Sequence, residues 1–132
     1  MTTAVALAAT LTSASTLQVP RSVHIGRQVT VYASGRVARA VSNGDAVRLE
    51  IQPTVNRGGN GFGVAPKFRA VVIGSRVRVV FRWPANDNHC FGAGHCIKTP
   101  WRLGSRVDIN VCAESPMFVV DGCARGTVVV RD

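Results

Sequence analysis

The cleanest alternation in the chain runs from Arg106 to Val111. Val107, Ile109 and Val111 fall on one side, and Arg106, Asp108 and Asn110 on the other. A period of two places successive side chains on opposite faces of a strand, so this stretch reads as a β-strand with one face buried. A second, shorter apolar run covers Thr127 to Val130. Cys112 and Cys123 sit near the inner ends of these two runs. Together they read as a closing antiparallel hairpin that a disulfide ties across its connection.

The same local solution recurs upstream. Ile25-Gly26-Arg27-Gln28-Val29-Thr30-Val31, Ile73-Gly74-Ser75-Arg76-Val77-Arg78-Val79 and Leu103-Gly104-Ser105-Arg106-Val107-Asp108-Ile109 each place a Gly turn before an alternating run. Asn43-Gly44-Asp45-Ala46-Val47-Arg48-Leu49 is a looser copy. The spacing between copies is irregular, which excludes a solenoid or propeller repeat. The predicted strands are Thr16–Val19, Gln28–Val37, Ala46–Gln52, Phe68–Ile73, Arg76–Trp83, Arg106–Ala113 and Thr127–Arg131, with a further short one near Met117–Val120. No segment shows a sustained helical period. About seven strands separated by turn signals predict an all-β, two-sheet antiparallel sandwich.

The connections are unequal. Asn43-Gly44-Asp45 is a tight turn, residues 56–63 form a Gly-rich loop, and Pro84 to Pro100 forms a longer one that holds two cysteines. Long loops on a rigid scaffold are natural places for binding.

Composition sharpens this picture. The chain has 132 residues and is 46% apolar, which fits one globular domain with a real core. No stretch reaches the roughly 20 apolar residues that span a bilayer. Sixteen basic residues against seven acidic give a formal charge of +9. That excess favours anionic partners. Residues 1–15 read either as the core and cleavage site of an export signal, with Ala4 to Leu11 apolar, or as an N-terminal arm; no Lys or Arg precedes the apolar run. The domain itself is expected over residues 16–132.

The strand and turn grammar G-x-x-V-x-V, S-G-R-V, N-G-D-A-V-R-L and W-x-x-G-S-x-V-x-I-x-V-C-A resembles bacterial immunoglobulin-like domains of secreted and surface proteins. The resemblance covers most of residues 17–131 and implies an architecture. The roles it implies range over spacer, adhesion, and glycan or protein binding. The chain departs from antibody-type domains: Asn110 stands where a tyrosine corner would put Tyr, and the second strand holds no Cys.

Four segments carry candidate chemistry. Asn88-His89-Cys90-Phe91-Gly92-Ala93-Gly94-His95-Cys96 offers imidazoles and thiols, so His89, Cys90, His95 and Cys96 are a metal-ligand alternative. The simpler expectation is a local disulfide, Cys90 with Cys96, matched by Cys112 with Cys123; crossed pairings remain open. Arg48, Arg76, Arg78, Arg82 and Arg106 all occupy outward positions on predicted strands. If those strands are neighbours, the arginines form a basic stripe for phosphates or acidic sugars. Gly59-Asn60-Gly61-Phe62-Gly63 lacks the Lys-Ser/Thr ending and the helix of a phosphate-binding loop.

Catalysis finds little support. The seven carboxylates are scattered, no G-x-S-x-G turn is present, and the three histidines lack an evident acid or Ser partner. The sequence therefore predicts a non-catalytic, secreted or cell-surface bacterial binding domain with no cofactor. Its expected partner is an anionic glycan, a cell-wall polymer or a protein. The alternative is a structural assembly component, such as a phage capsid decoration or tail component or a surface-layer unit, that keeps its N-terminal arm and associates with itself.

Overall fold

The computed structural model describes residues 14–53, 64–90 and 95–132. Among the described residues, ten strands and one short helix follow in chain order: β1 Thr16–Gln18, β2 Ser22–His24, β3 Gln28–Ser34, α1 Arg36–Ser42, β4 Ala46–Pro53, β5 Phe68–Ile73, β6 Arg76–Arg82, β7 Asp87–Cys90, β8 Cys96–Thr99, β9 Arg106–Glu114 and β10 Val120–Arg131. They form two four-stranded sheets and a small hairpin. The first sheet has the order β1-β3-β6-β5, the second β2-β10-β9-β4, and β7 pairs with β8.

The alternation seen in the sequence builds the core. Val29, Val31 and Ala33 on β3 and Val77, Val79 and Phe81 on β6 point inward from the first sheet. Leu49 and Ile51 on β4, Val107, Ile109 and Val111 on β9, and Val128 and Val130 on β10 meet them from the second. All belong to one continuous apolar cluster. This is the all-β sandwich that the patterning predicts. β1 and β2, consecutive in the chain, lie at the edges of different sheets.

Several expectations need correction. The described residues hold ten strands, not about seven, because β2, β7 and β8 are too short to show alternation. The second sheet is not wholly antiparallel: β2 runs parallel to β10, Val23 opposite Val130. The stretch from Pro84 to Pro100 is not one long loop, since it contains the β7–β8 hairpin. Met117 is not in a strand; it lies in the connection leading to β10, which begins at Val120 and kinks at a bulge between Val120 and Gly122.

The largest departure is α1, where a continuous strand to Val37 was expected. Gly35 ends β3 with φ of 78°, a backbone angle that resists side chains. A Cβ there would also lie 1.7 Å from the Ala14 carbonyl oxygen. Beyond it, Val37, Ala40 and Val41 recur at helical spacing and pack on the core. Gly35 supplies no side-chain cap. The Ser15 hydroxyl instead accepts the Val37 N–H at 3.2 Å, so an upstream residue completes the first turn.

Aromatic residues close one end of the sandwich. Trp83 is fully buried, with its ring centroid 5.2 Å from Trp101 and 6.3 Å from Phe81. The Trp101 indole N–H donates to the Pro84 carbonyl at 2.8 Å. These tryptophans flank β6 and β9 and so fill the core from different strands than an antibody domain uses.

Candidate functional site

The two sheets differ sharply in charge. The strands of the first sheet carry Arg69, Arg76, Arg78 and Arg82 and no Asp or Glu. The strands of the second carry Arg48, Arg106, Arg125 and Arg131 against Glu50, Asp108, Glu114 and Asp121. The excess positive charge of the strands thus lies on the first sheet.

Register places those four arginines on one surface. On β6 the buried residues are Val77, Val79 and Phe81, so Arg76, Arg78 and Arg82 point outward. Cα partners on β3 put Ser34 beside Arg76, Tyr32 beside Arg78 and Gln28 beside Arg82. On β5, Arg69 is opposite Val80 and shares the outward face. Successive outward residues on a strand lie about 6.7 Å apart. Arg76 and Arg78 therefore suit adjacent anionic groups, and Arg82 a third about 13 Å beyond Arg78.

Two of these side chains are held in place. The Arg76 guanidinium carbon lies 4.5 Å from the centroid of the Tyr32 ring, a cation–π contact. Arg82 Nη1 donates to the Gly26 carbonyl at 2.5 Å. Concavities flank the row at both ends. Near Arg82, a cleft of about 240 Å³ is lined by Gln28, Lys67, Phe68, Arg69, Val80 and Arg82. Near Arg76, a larger cavity of about 570 Å³ is lined by Thr16, Ser34, Arg39, Ser42, Asn43 and Ser75. The first offers cations over an apolar floor, and the second offers hydroxyls and an amide.

The stripe foreseen from the sequence divides accordingly. Arg76, Arg78 and Arg82 come together. Arg48 and Arg106 do not join them, because β4 and β9 belong to the other sheet. Arg48 is also paired, at 3.6 Å from Glu50 and 3.9 Å from Glu114. Sequence reasoning missed Lys67 and Arg69. The alternation of Arg69, Val71 and Ile73 on β5 was the signal that could have found Arg69.

The cysteines are structural. Cys112 and Cys123 face each other on β9 and β10 and are joined, with Cα atoms 4.0 Å apart. Cys96 is also disulfide-bonded, and Cys90 is its Cα partner across the β7–β8 hairpin. A disulfide sulfur is not a thiolate ligand, so the metal set loses Cys96. His95 is exposed. The side chains of His89 and Cys90, and the Gly-rich segment 56–63, lie outside the described residues. Among the described residues, no three His, Cys, Asp or Glu side chains are grouped to hold a metal ion.

Two further features lie outside the arginine row. Met117 and Phe118, each 82% exposed, tip the β9–β10 connection, where Phe118 adopts φ of 62°. Nearby, Asp45 and Asp121 share a carboxyl–carboxyl hydrogen bond. That bond, with burial and then mutual repulsion adding to it, holds the Asp45 carboxyl above its ordinary range. Asp45 Oδ2 is enclosed and has no hydrogen-bond partner among the described residues.

No protein-family model and no curated protein matches the chain. Among solved structures, it is similar to the sialic acid binding region of the Streptococcus sanguinis SK1 adhesin bound to 3'sLn, at 17% identity and a TM-score of 0.33. The match covers 91% of this chain and 30% of that one, so this chain spans less than a third of that chain's length. A likeness this slight bears on neither ligand nor activity.

Proposed function

We propose that this domain is a non-catalytic binding module for a linear acidic glycan or cell-wall polymer, held along β6 on the outer face of the first sheet. The observation that carries the reading is the charge asymmetry: four arginines and no carboxylate on that sheet's strands, against balanced charges on the other. Guanidinium groups match carboxylate and phosphate oxygens with paired donors. Arg76 and Arg82 are already constrained, so less side-chain freedom is lost on binding. The hydroxyl-lined cavity beside Arg76 suits the neutral part of a sugar.

Single-stranded nucleic acid fits less well. Its binding sites stack bases on several aromatic rings, and Tyr32 is the only ring on this face's strands besides the edge residue Phe68 and the buried Phe81. The disulfides support work in an oxidising, extracytoplasmic compartment.

The direct test compares retention on an immobilised uronic-acid polymer, a glycerol-phosphate polymer and neutral dextran. The reading expects retention on the acidic polymers alone, lost in an Arg78→Ser/Arg82→Ser variant. Equal retention on dextran, or tighter binding to single-stranded DNA than to either acidic polymer, would refute it.

A further inference from the structure

Each sheet ends in two edge strands, and three of these four are short or covered. β1 and β2 have three residues each. On β4, Ile51 and Val64 exchange both backbone hydrogen bonds at 2.9 Å. β5 differs from these. It has six residues, and among the described residues its only strand partner is β6, in unbroken register from Phe68 opposite Phe81 to Ile73 opposite Arg76. Its sequence has no Pro, Lys or bulge of the kind that protects an edge.

Both faces of β5 are open to solvent. Val71 and Ile73 on the outer side are 48% and 40% exposed, and Val72 on the core side is 44% exposed. The outer side is polarised along its length. Lys67 and Arg69 stand at one end, with Arg82 across the cleft, and Val71 and Ile73 stand at the other. A strand edge that has no second strand partner among the described residues, flanked by such side chains, is a template for strand addition.

We propose that β5 accepts an extended segment of a partner protein as a fifth strand of the first sheet. The segment carries apolar side chains toward Ala70 and Val72 and acidic ones toward Lys67 and Arg69. Charge selects this occupant over a second copy of the chain. The chain carries +9, and every charged side chain on β5 and β6 is cationic. This site is the sheet edge; it shares Arg69 with the glycan reading, which uses the sheet face, but needs the backbone of β5, which that reading does not.

The test uses the full chain and a capped peptide, Thr-Val-Thr-Val-Glu-Val-Glu, written to run antiparallel to β5 with its acids opposite Lys67 and Arg69. Binding is read by fluorescence anisotropy and by backbone amide exchange. Saturable binding is expected, with slowed exchange confined to alternate amides of residues 68–73. Replacing both Glu by Lys should weaken it at least tenfold, and so should the exposed-site variant Arg69→Glu. Two peptides N-methylated on opposite alternate residues should separate, one binding and one not. Equal binding of the Lys peptide, unchanged β5 exchange, or equal binding of both N-methylated forms overturns the proposal. So does a peptide-free dimer of the chain that protects the same amides, which would make a second copy the occupant. Peptide binding is measured in parallel with Arg78→Glu, which removes a cation of the face and leaves the β5 edge intact, so that loss of the face and loss of the edge are told apart.

Discussion

Arg76 lies over the ring of Tyr32, its guanidinium carbon 4.5 Å from the ring centroid. The contact joins neighbouring strands, since Tyr32 is on β3 and Arg76 on β6. It places the guanidinium on the ring face and limits the freedom of the Arg76 side chain. A cation–π contact at an exposed site is worth about 0.5–1 kcal/mol. Tyr32→Leu should therefore weaken acidic-polymer binding about two- to fivefold, with little change in thermal midpoint. Isothermal titration alongside a melting curve checks both. Unchanged affinity would mean that Arg76 does not contact the ligand.

The Cys112–Cys123 disulfide ties two strands that are already paired, across a sequence separation of 11. The chain-entropy argument assigns a loop of this length about 2–3 kcal/mol. A Cys112→Ala/Cys123→Ala variant should lose that much in urea unfolding and keep its acidic-polymer affinity, because both cysteines lie on the sheet opposite the arginine row. A matched loss of affinity would tie the hairpin to the binding face.

Asp45 gives stability a pH dependence of known sign. Its folded-state carboxyl is raised above the ordinary 3.8 by the hydrogen bond to Asp121 and by burial. A raised carboxyl stabilises the fold most below the unfolded value, and that contribution fades as pH rises through the folded value. Asp45→Asn keeps a donor toward Asp121 and removes the proton dependence. Its urea midpoint should move upward relative to the wild type as pH rises from about 3.5 to 7, the window that begins near the ordinary carboxylate value. A difference independent of pH contradicts a raised Asp45 carboxyl.

Phe118 occupies the left-handed region at the tip of the β9–β10 connection, with its side chain 82% exposed. Its N–H donates to the Ser115 carbonyl at 2.9 Å, and Ser115 N–H donates to Val119 at 2.8 Å, so the turn geometry is fixed. For a residue with a Cβ this conformation costs about 1–2 kcal/mol. Phe118→Gly should raise stability by about 1 kcal/mol. Chemical denaturation measures it, and a destabilised variant would show that the ring has a packing role.

Strands with one buried face were legible because alternation is a local property. β5 was located to the residue, and β4, β6 and β9 to within one residue at their ends. The core faces of β3, β6 and β9 follow directly from it. The helix was hidden, since α1 spans only seven residues and its Val37, Ala40 and Val41 cannot establish a period against the preceding strand. Sheet membership was not legible either, because the order β1-β3-β6-β5 joins residues far apart in sequence. Arg48 and Arg106 have the same outward alternation as Arg78, and only the three-dimensional order sends them to the other sheet. Lys67 and Arg69 join the cleft for the same reason, through the pairing of β5 with β6. The local disulfide was legible because Cys112 and Cys123 flank a hairpin connection, and the register confirms them as direct partners.

The central claim is that one sheet binds and the other does not. Titrating a short uronic-acid oligomer into the isotopically labelled chain at about 50 mM and again at about 200 mM salt tests it, since exposed charge pairs weaken over that range. Amide resonances of β3, β5 and β6 should shift, with weaker binding at the higher salt, while those of β9 and β10 stay in place. Arg78→Glu should abolish the shifts and Arg48→Glu should not. Shifts centred on β9 and β10, or an Arg78→Glu chain that binds as the wild type does, would contradict the account.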